Sequence, residues 1–105
     1  MKQPNMQNMM KQAQRMQAEM ARVQEELKDD RVEASVGGGA VKVIMTGEMV
    51  VESVAIDAAA VDIDDIAMLE DMIGAAVNEA VRQAQDLAAR KMQAVTGGVG
   101  LPGLF

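Results

Sequence analysis

The chain is predicted to be an α+β domain: a long N-terminal helix, a three-stranded antiparallel β-meander and a long C-terminal helix, forming a homodimer. Three observations carry this. A seam of apolar residues at alternating steps of three and four opens the sequence, a stretch of period two fills its middle, and a second stripe of helical period follows. The dimer is expected from the core: at 105 residues with 11 methionines and one aromatic, the terminal Phe105, a lone chain packs a thin, soft interior. An identical partner is the simplest way to complete it.

The first helix is assigned to residues 1–30. Apolar residues stand at 6, 9, 13, 16, 20, 23 and 27, a coiled-coil spacing sustained for three heptads. Pro4 suits a first helical turn, and Lys28-Asp29-Asp30 ends the pattern. At 1.5 Å per residue the seam is roughly 32 Å long, more than a small domain needs to cover its own core. Part of it is therefore expected to meet another chain. Its methionines read as a soft packing face rather than a membrane-lying surface.

Residues 31–57 read as the meander. Val32, Ala34 and Val36 alternate with Glu33 and Ser35; Val41, Val43 and Met45 alternate with Lys42 and Thr46, with Ile44 the exception; a third strand runs from Met49 to Ile56 after a Thr46-Gly47-Glu48 turn. Such short connections allow only antiparallel neighbours. The segment VGGGAVKVIMTG, Val36 to Gly47, raises the question of a phosphate-cradling loop. That loop needs its glycines to lead into a helix and its lysine to precede serine or threonine, whereas Lys42 precedes Val43, Ile44 and Met45. The glycines are read as a hairpin turn or bulge.

The second helix is assigned to 62–95, with apolar residues at 66, 69, 73, 77, 80, 84 and 87 on one stripe. Asp62, Asp64 and Asp65 resemble a metal cluster, but a calcium loop starting at Asp62 would need oxygen ligands where Ile66 and Ile73 stand. Capping of the free N–H groups at a helix start explains them better. Thr96-Gly97-Gly98 is expected to stop the helix, leaving a Gly/Pro-rich tail over 96–105. Its VGLPGLF end is either a flexible tail or a segment docked in a groove of the dimer or of another protein.

Composition removes much chemistry. There is no histidine, cysteine, tryptophan or tyrosine, hence no usual proton shuttle, thiol nucleophile, soft metal ligand or base-stacking ring. No serine or threonine has a histidine to activate it, so the chain is read as a non-enzyme with no catalytic residue, metal or cofactor. The start MKQPNMQNMM has neither a continuous apolar segment nor a cleavage-like site, and no apolar run approaches a membrane span; a cytosolic protein without membrane contact is expected. Net charge is −6, concentrated in the middle: residues 32–66 carry one basic and seven acidic side chains. A polyanion would have to be met by the ends of the chain.

Four stretches together, MKQAQRMQ from Met10, the VGGGAVKVIMTG hairpin, MLEDMIGAAVNEA from Met68 and the closing TGGVGLPGLF, resemble the YbaB/EbfC family of nucleoid-associated proteins over nearly the whole chain. The resemblance implies one domain over 1–105, a tight homodimer with helices projecting from a central sheet, and location in the cytoplasm at the nucleoid. It also implies binding to double-stranded DNA with weak sequence preference, and a link to recombination and repair proteins or gene regulation. The rival reading is a non-catalytic interaction module that docks replication or repair partners through its helices and tail.

In the heptad frame Lys11, Arg15 and Arg22 lie away from the seam, within about 40° of one another at 100° per residue. Read alone, this is a solvated outer face; with the resemblance, it becomes the expected DNA contact. Arg82, Arg90 and Lys91 are further candidates, although the last two also suit the cation-favouring end of a helix.

Overall fold

The computed structural model describes residues 6–99, with side chains through Thr96; Pro4 and the closing LPGLF lie outside the described residues. The elements are α1 (Met6–Asp29), β1 (Arg31–Val36), β2 (Val41–Thr46), β3 (Val51–Ile56) and α2 (Ile66–Val99). The strands pair antiparallel in the order β1-β2-β3, the meander expected from the period-two alternation.

Val36 pairs with Val41 and Arg31 with Thr46, so the β1–β2 hairpin closes on Gly37–Gly39. All three glycines have positive φ, at 64°, 67° and 97°. Side chains rarely adopt that backbone, so the turn demands glycine. At the other end of the sheet the β2–β3 turn is pinned to α1: the Gly47 N–H donates to the Asp30 carbonyl at 3.0 Å, and a Cβ at Gly47 would lie 2.7 Å from the Leu27 carbonyl oxygen.

One face of β1 and β2 packs on α2. Ala76, Ala80 and Ala84, spaced four apart, are fully buried against Ala34, Val41, Val43 and Met45. Small residues at this spacing let a helix backbone approach a sheet closely. Leu69, Met72, Ile73, Val77 and Val81 flank the ladder. Beyond the sheet, α2 continues antiparallel to α1, where Val23, Leu27 and Val95 form a second buried cluster with Met16, Leu87, Ala88 and Met92 around it. The result measures 76 × 25 × 17 Å. Its radius of gyration of 20.5 Å compares with about 13 Å for a compact chain of this length. The core is a sheet layer with a helical arm.

Three boundaries differ from those read in the sequence. β3 begins at Val51 rather than Met49, whose φ of 65° and N–H bond to the Thr46 carbonyl place it in the β2–β3 turn. α2 begins at Ile66 rather than 62, because the acidic run is spent on turns and a cap: Asp62 accepts the Asp64 N–H at 2.9 Å and Asp65 accepts the Met68 N–H at 3.1 Å. Ile66, placed on the apolar stripe, is exposed. α2 also runs past Thr96 to Val99 instead of stopping. The Thr96 hydroxyl lies 3.2 Å from the Met92 and Gln93 carbonyls, bonding back to the preceding turn and so tolerating helix.

Candidate nucleic-acid interface

α1 presents its cations in two settings. Lys11 and Arg15 stand on the part of the helix that reaches beyond its buried contacts, exposed and without an ion pair among the described residues. Arg22, on the same face, is held between two carboxylates: its Nε donates to Glu19 at 3.2 Å and a terminal nitrogen donates to Glu26. Both partners raise its pKa, Glu19 foremost through its hydrogen bond. From Met6 to Ala18 the helix has two cations and no anion. From Glu19 to Asp30 two cations face five anions.

The α2 candidates divide in the same way. Arg82 donates through Nε to Glu79 at 3.1 Å, which pulls the Glu79 carboxyl below the usual range. Lys91 is clamped between the helices: its ammonium lies 2.6 Å from an Asp30 oxygen and 3.0 Å from Glu26. The Asp30 bond, then that of Glu26, raises the Lys91 pKa, and the Lys91 hydrogen bond leads the causes that lower Glu26. Lys91 therefore ties α1 to α2. Arg90, one position earlier and exposed, makes no ion pair among the described residues. Lys28, Arg31 and Lys42 face Glu25, Glu52 and Glu33 respectively.

The far end of the molecule has the opposite sign. Between Ser53 and Val81 there is no lysine or arginine, while Asp57, Asp62, Asp64, Asp65, Glu70, Asp71 and Glu79 carry negative charge. A shallow recess beside the glycine turn is lined by Gly39, Lys42, Ala55, Ile56 and Asp57. The turn feeds β2 rather than a helix start, and a carboxylate shares the recess, so Gly37–Gly39 shape a hairpin and present no phosphate cradle.

The sequence reading did not identify which side of the sheet lies bare. Val43 pairs with Val54 and Val41 with Ile56, so Val54 and Ile56 share the face that α2 covers over β1 and β2. Yet α2 does not reach them: Val51, Val54 and Ile56 remain 43%, 44% and 43% exposed, beside exposed Met49 and Val50. The signal was present in VESVAI, whose apolar residues fall on both faces of a strand at the end of a meander.

Comparison with known proteins bears on this geometry. The chain is 52% identical over 102 residues to a nucleoid-associated protein of Acetivibrio thermocellus, covering 96% of this chain and 90% of that one. It is 50% identical to a nucleoid-associated protein of Pelotomaculum thermopropionicum, covering 96% of each, and 52% identical to one of Moorella thermoacetica, covering 94% and 95%. The crystal structure of an uncharacterized protein from Helicobacter pylori shares the fold, with a TM-score of 0.73 at 20% identity over 93% of this chain and 100% of that one. No helix among the described residues is long and apolar enough to cross a membrane. The profile of the YbaB/EbfC DNA-binding family matches residues 1–99, and the chain belongs to that family of DNA-binding, non-enzymatic proteins.

Proposed function

We propose that the protein acts at the nucleoid as a homodimer that binds double-stranded DNA through phosphate contacts, without catalysis and with weak sequence preference. The observation that carries the contact is the pair Lys11 and Arg15, cations that no carboxylate among the described residues neutralises, on a helix segment with no acidic residue in its first turn. Arg90 ranks next. Arg22, Arg82 and Lys91 are weaker candidates than the sequence suggested, because each is already engaged by glutamate or aspartate.

The dimer rests on β3. An edge strand with an apolar, uncovered face is a surface that a second copy fills through a two-fold contact. Val54→Arg is expected to dissociate it in sedimentation; an unchanged dimer would move the interface away from this strand.

Two copies present four such cations; adding Arg22 would make six, but its carboxylate partners already engage it. The logarithm of affinity should then fall against the logarithm of salt with a slope of about −3.6. No aromatic is placed to stack on bases, and phosphate contacts carry no sequence information, which supports weak preference. Lys11→Gln with Arg15→Gln should lower duplex affinity by a factor on the order of 10³ at 0.1 M salt and flatten the slope, with the dimer intact. An unaltered slope would shift the contact to Arg90. Absence of duplex binding at low salt would favour the interaction module, with its recombination or repair partners, over the DNA reading.

A further inference from the structure

Four lysines lie among the described residues, and their surroundings divide them. Lys28 donates to Glu25 at 2.9 Å, Lys91 is clamped by Asp30 and Glu26, and Lys42 faces Glu33 at 3.9 Å beside the recess that holds Asp57. Glu25, foremost through its hydrogen bond, raises the pKa of Lys28, as Asp30 does that of Lys91. A lysine attacks an acyl group only as the neutral amine, so these pairings shrink the reactive fraction of both at any given pH. Carboxylates next to all three also repel an anionic reagent. Lys11 has no such neighbour: it is exposed, and no carboxylate among the described residues pairs with it.

Arg15 lies one turn further along α1, about 40° around the helix axis from Lys11, so the guanidinium and the ammonium share a face. Between Met6 and Ala18 no acidic residue neutralises them, and Glu19, four residues beyond Arg15, is engaged by Arg22. Two unpaired cations one turn apart repel each other, and a phosphate group set between them relieves the repulsion. We propose that Lys11 is an acylation site that takes small acyl phosphates, with Arg15 holding the phosphate of the donor. The step closes without a further reactant. The neutral Lys11 Nζ attacks the carbonyl carbon of the mixed anhydride, and a C–N bond forms as the bond from that carbon to the bridging oxygen breaks. The electron pair leaves on inorganic phosphate, water takes the proton from nitrogen, and the product is a neutral amide. Loss of this charge from both copies removes two of the four cations assigned to the DNA contact, so acylation releases the protein from duplex. That consequence rests on the DNA contact proposed above; the acylation itself does not.

Full-length protein incubated with acetyl phosphate at about pH 8, with its peptides followed by mass spectrometry, gives a rate for each lysine. Lys11 should be acetylated at least about tenfold faster than Lys28, Lys42 and Lys91, the absent ion pair and the held donor each contributing a few-fold. Arg15→Gln should slow Lys11 about fivefold with acetyl phosphate and leave its rate unchanged with the uncharged ester N-hydroxysuccinimidyl acetate. A Lys11 rate no higher than those of the paired lysines, or the same response of Arg15→Gln to both reagents, would overturn the proposal. Added duplex DNA tests the consequence separately. Protection of Lys11 alone, with affinity about 60-fold weaker at 0.1 M salt once Lys11 is acetylated in both copies, supports the site and the DNA contact together. Fast Lys11 acetylation that duplex does not slow, with duplex affinity unchanged by it, supports the acylation site and removes the DNA contact from Lys11.

Discussion

Arg15 and Arg22 are the same residue type, one heptad apart on one face of α1, and they do different things. Arg22 is taken by Glu19 and Glu26; Arg15 is taken by no carboxylate among the described residues. Glu19 is within helical reach of both, four residues after Arg15 and three before Arg22. It pairs with Arg22, the order in which an acid preceding a cation is favoured by the helix dipole. The same division holds for packing: Val23 and Leu27 are buried against α2, while Met6, Met9 and Met10 are exposed. One half of the helix is committed to the fold and the other is left for contact.

The largest effect that tests this division is on stability. Leu27→Ala removes a side chain buried between the helices and beside the β2–β3 turn, and should lower the unfolding free energy by about 2–4 kcal/mol in urea titration. Arg15→Gln, on the exposed half, should stay within about 0.5 kcal/mol of wild type. Similar losses from both would mean that the distal half is also part of the core.

A smaller effect should appear in DNA affinity when Arg15 is given the partner it lacks. Gln12→Glu places an acid three residues before Arg15, the spacing and order of Glu19 and Arg22. Duplex affinity is expected to fall by up to about 60-fold at 0.1 M salt, with the salt slope shallower by up to about two phosphate contacts, one in each copy. The complement is weaker and of opposite sign. Glu19→Gln removes the first partner of Arg22 but leaves Glu26 in place, so affinity should rise only a few-fold. A rise in the first variant or a fall in the second would show that local charge balance does not govern binding.

These pairings also mark how far sequence reasoning reached. The order of elements was legible because period and turn chemistry are local: the heptad seam, the Val32 to Val36 alternation and the three glycines each specify their own geometry. The cationic face of α1 was legible for the same reason. Which cations are neutralised was not, because Glu19 can serve either arginine and Lys91 meets Glu26 and Asp30 only after the chain has doubled back through the sheet. The bare side of β3 likewise depends on where α2 crosses the sheet, and the long-range contacts of Ala76, Ala80 and Ala84 decide that.

The smallest expected effect concerns the clamp between the two halves. Glu26 touches both Arg22 and Lys91, and the Lys91 hydrogen bond foremost holds its carboxyl below the usual range. A carboxylate depressed in the folded state contributes its stability above the unfolded pKa, near 4.3, and loses it as pH falls through the lower folded value. Lys91, raised by Asp30 and Glu26, contributes below its ordinary value of about 10.4 and loses that contribution as pH rises through the higher folded value. Across neutral pH both are fully in force, so their contribution is constant there and varies with pH only at the extremes. Thermal unfolding of wild type and Glu26→Gln from pH 7 to pH 3 should give midpoints that converge as the pH falls below about 4.3, since protonation does to Glu26 what the substitution does. Because these side chains are partly solvent-exposed, the gap at pH 7 should be smaller than that between wild type and Leu27→Ala. A gap that persists unchanged to pH 3 would mean that Glu26 acts through packing and not through its charge.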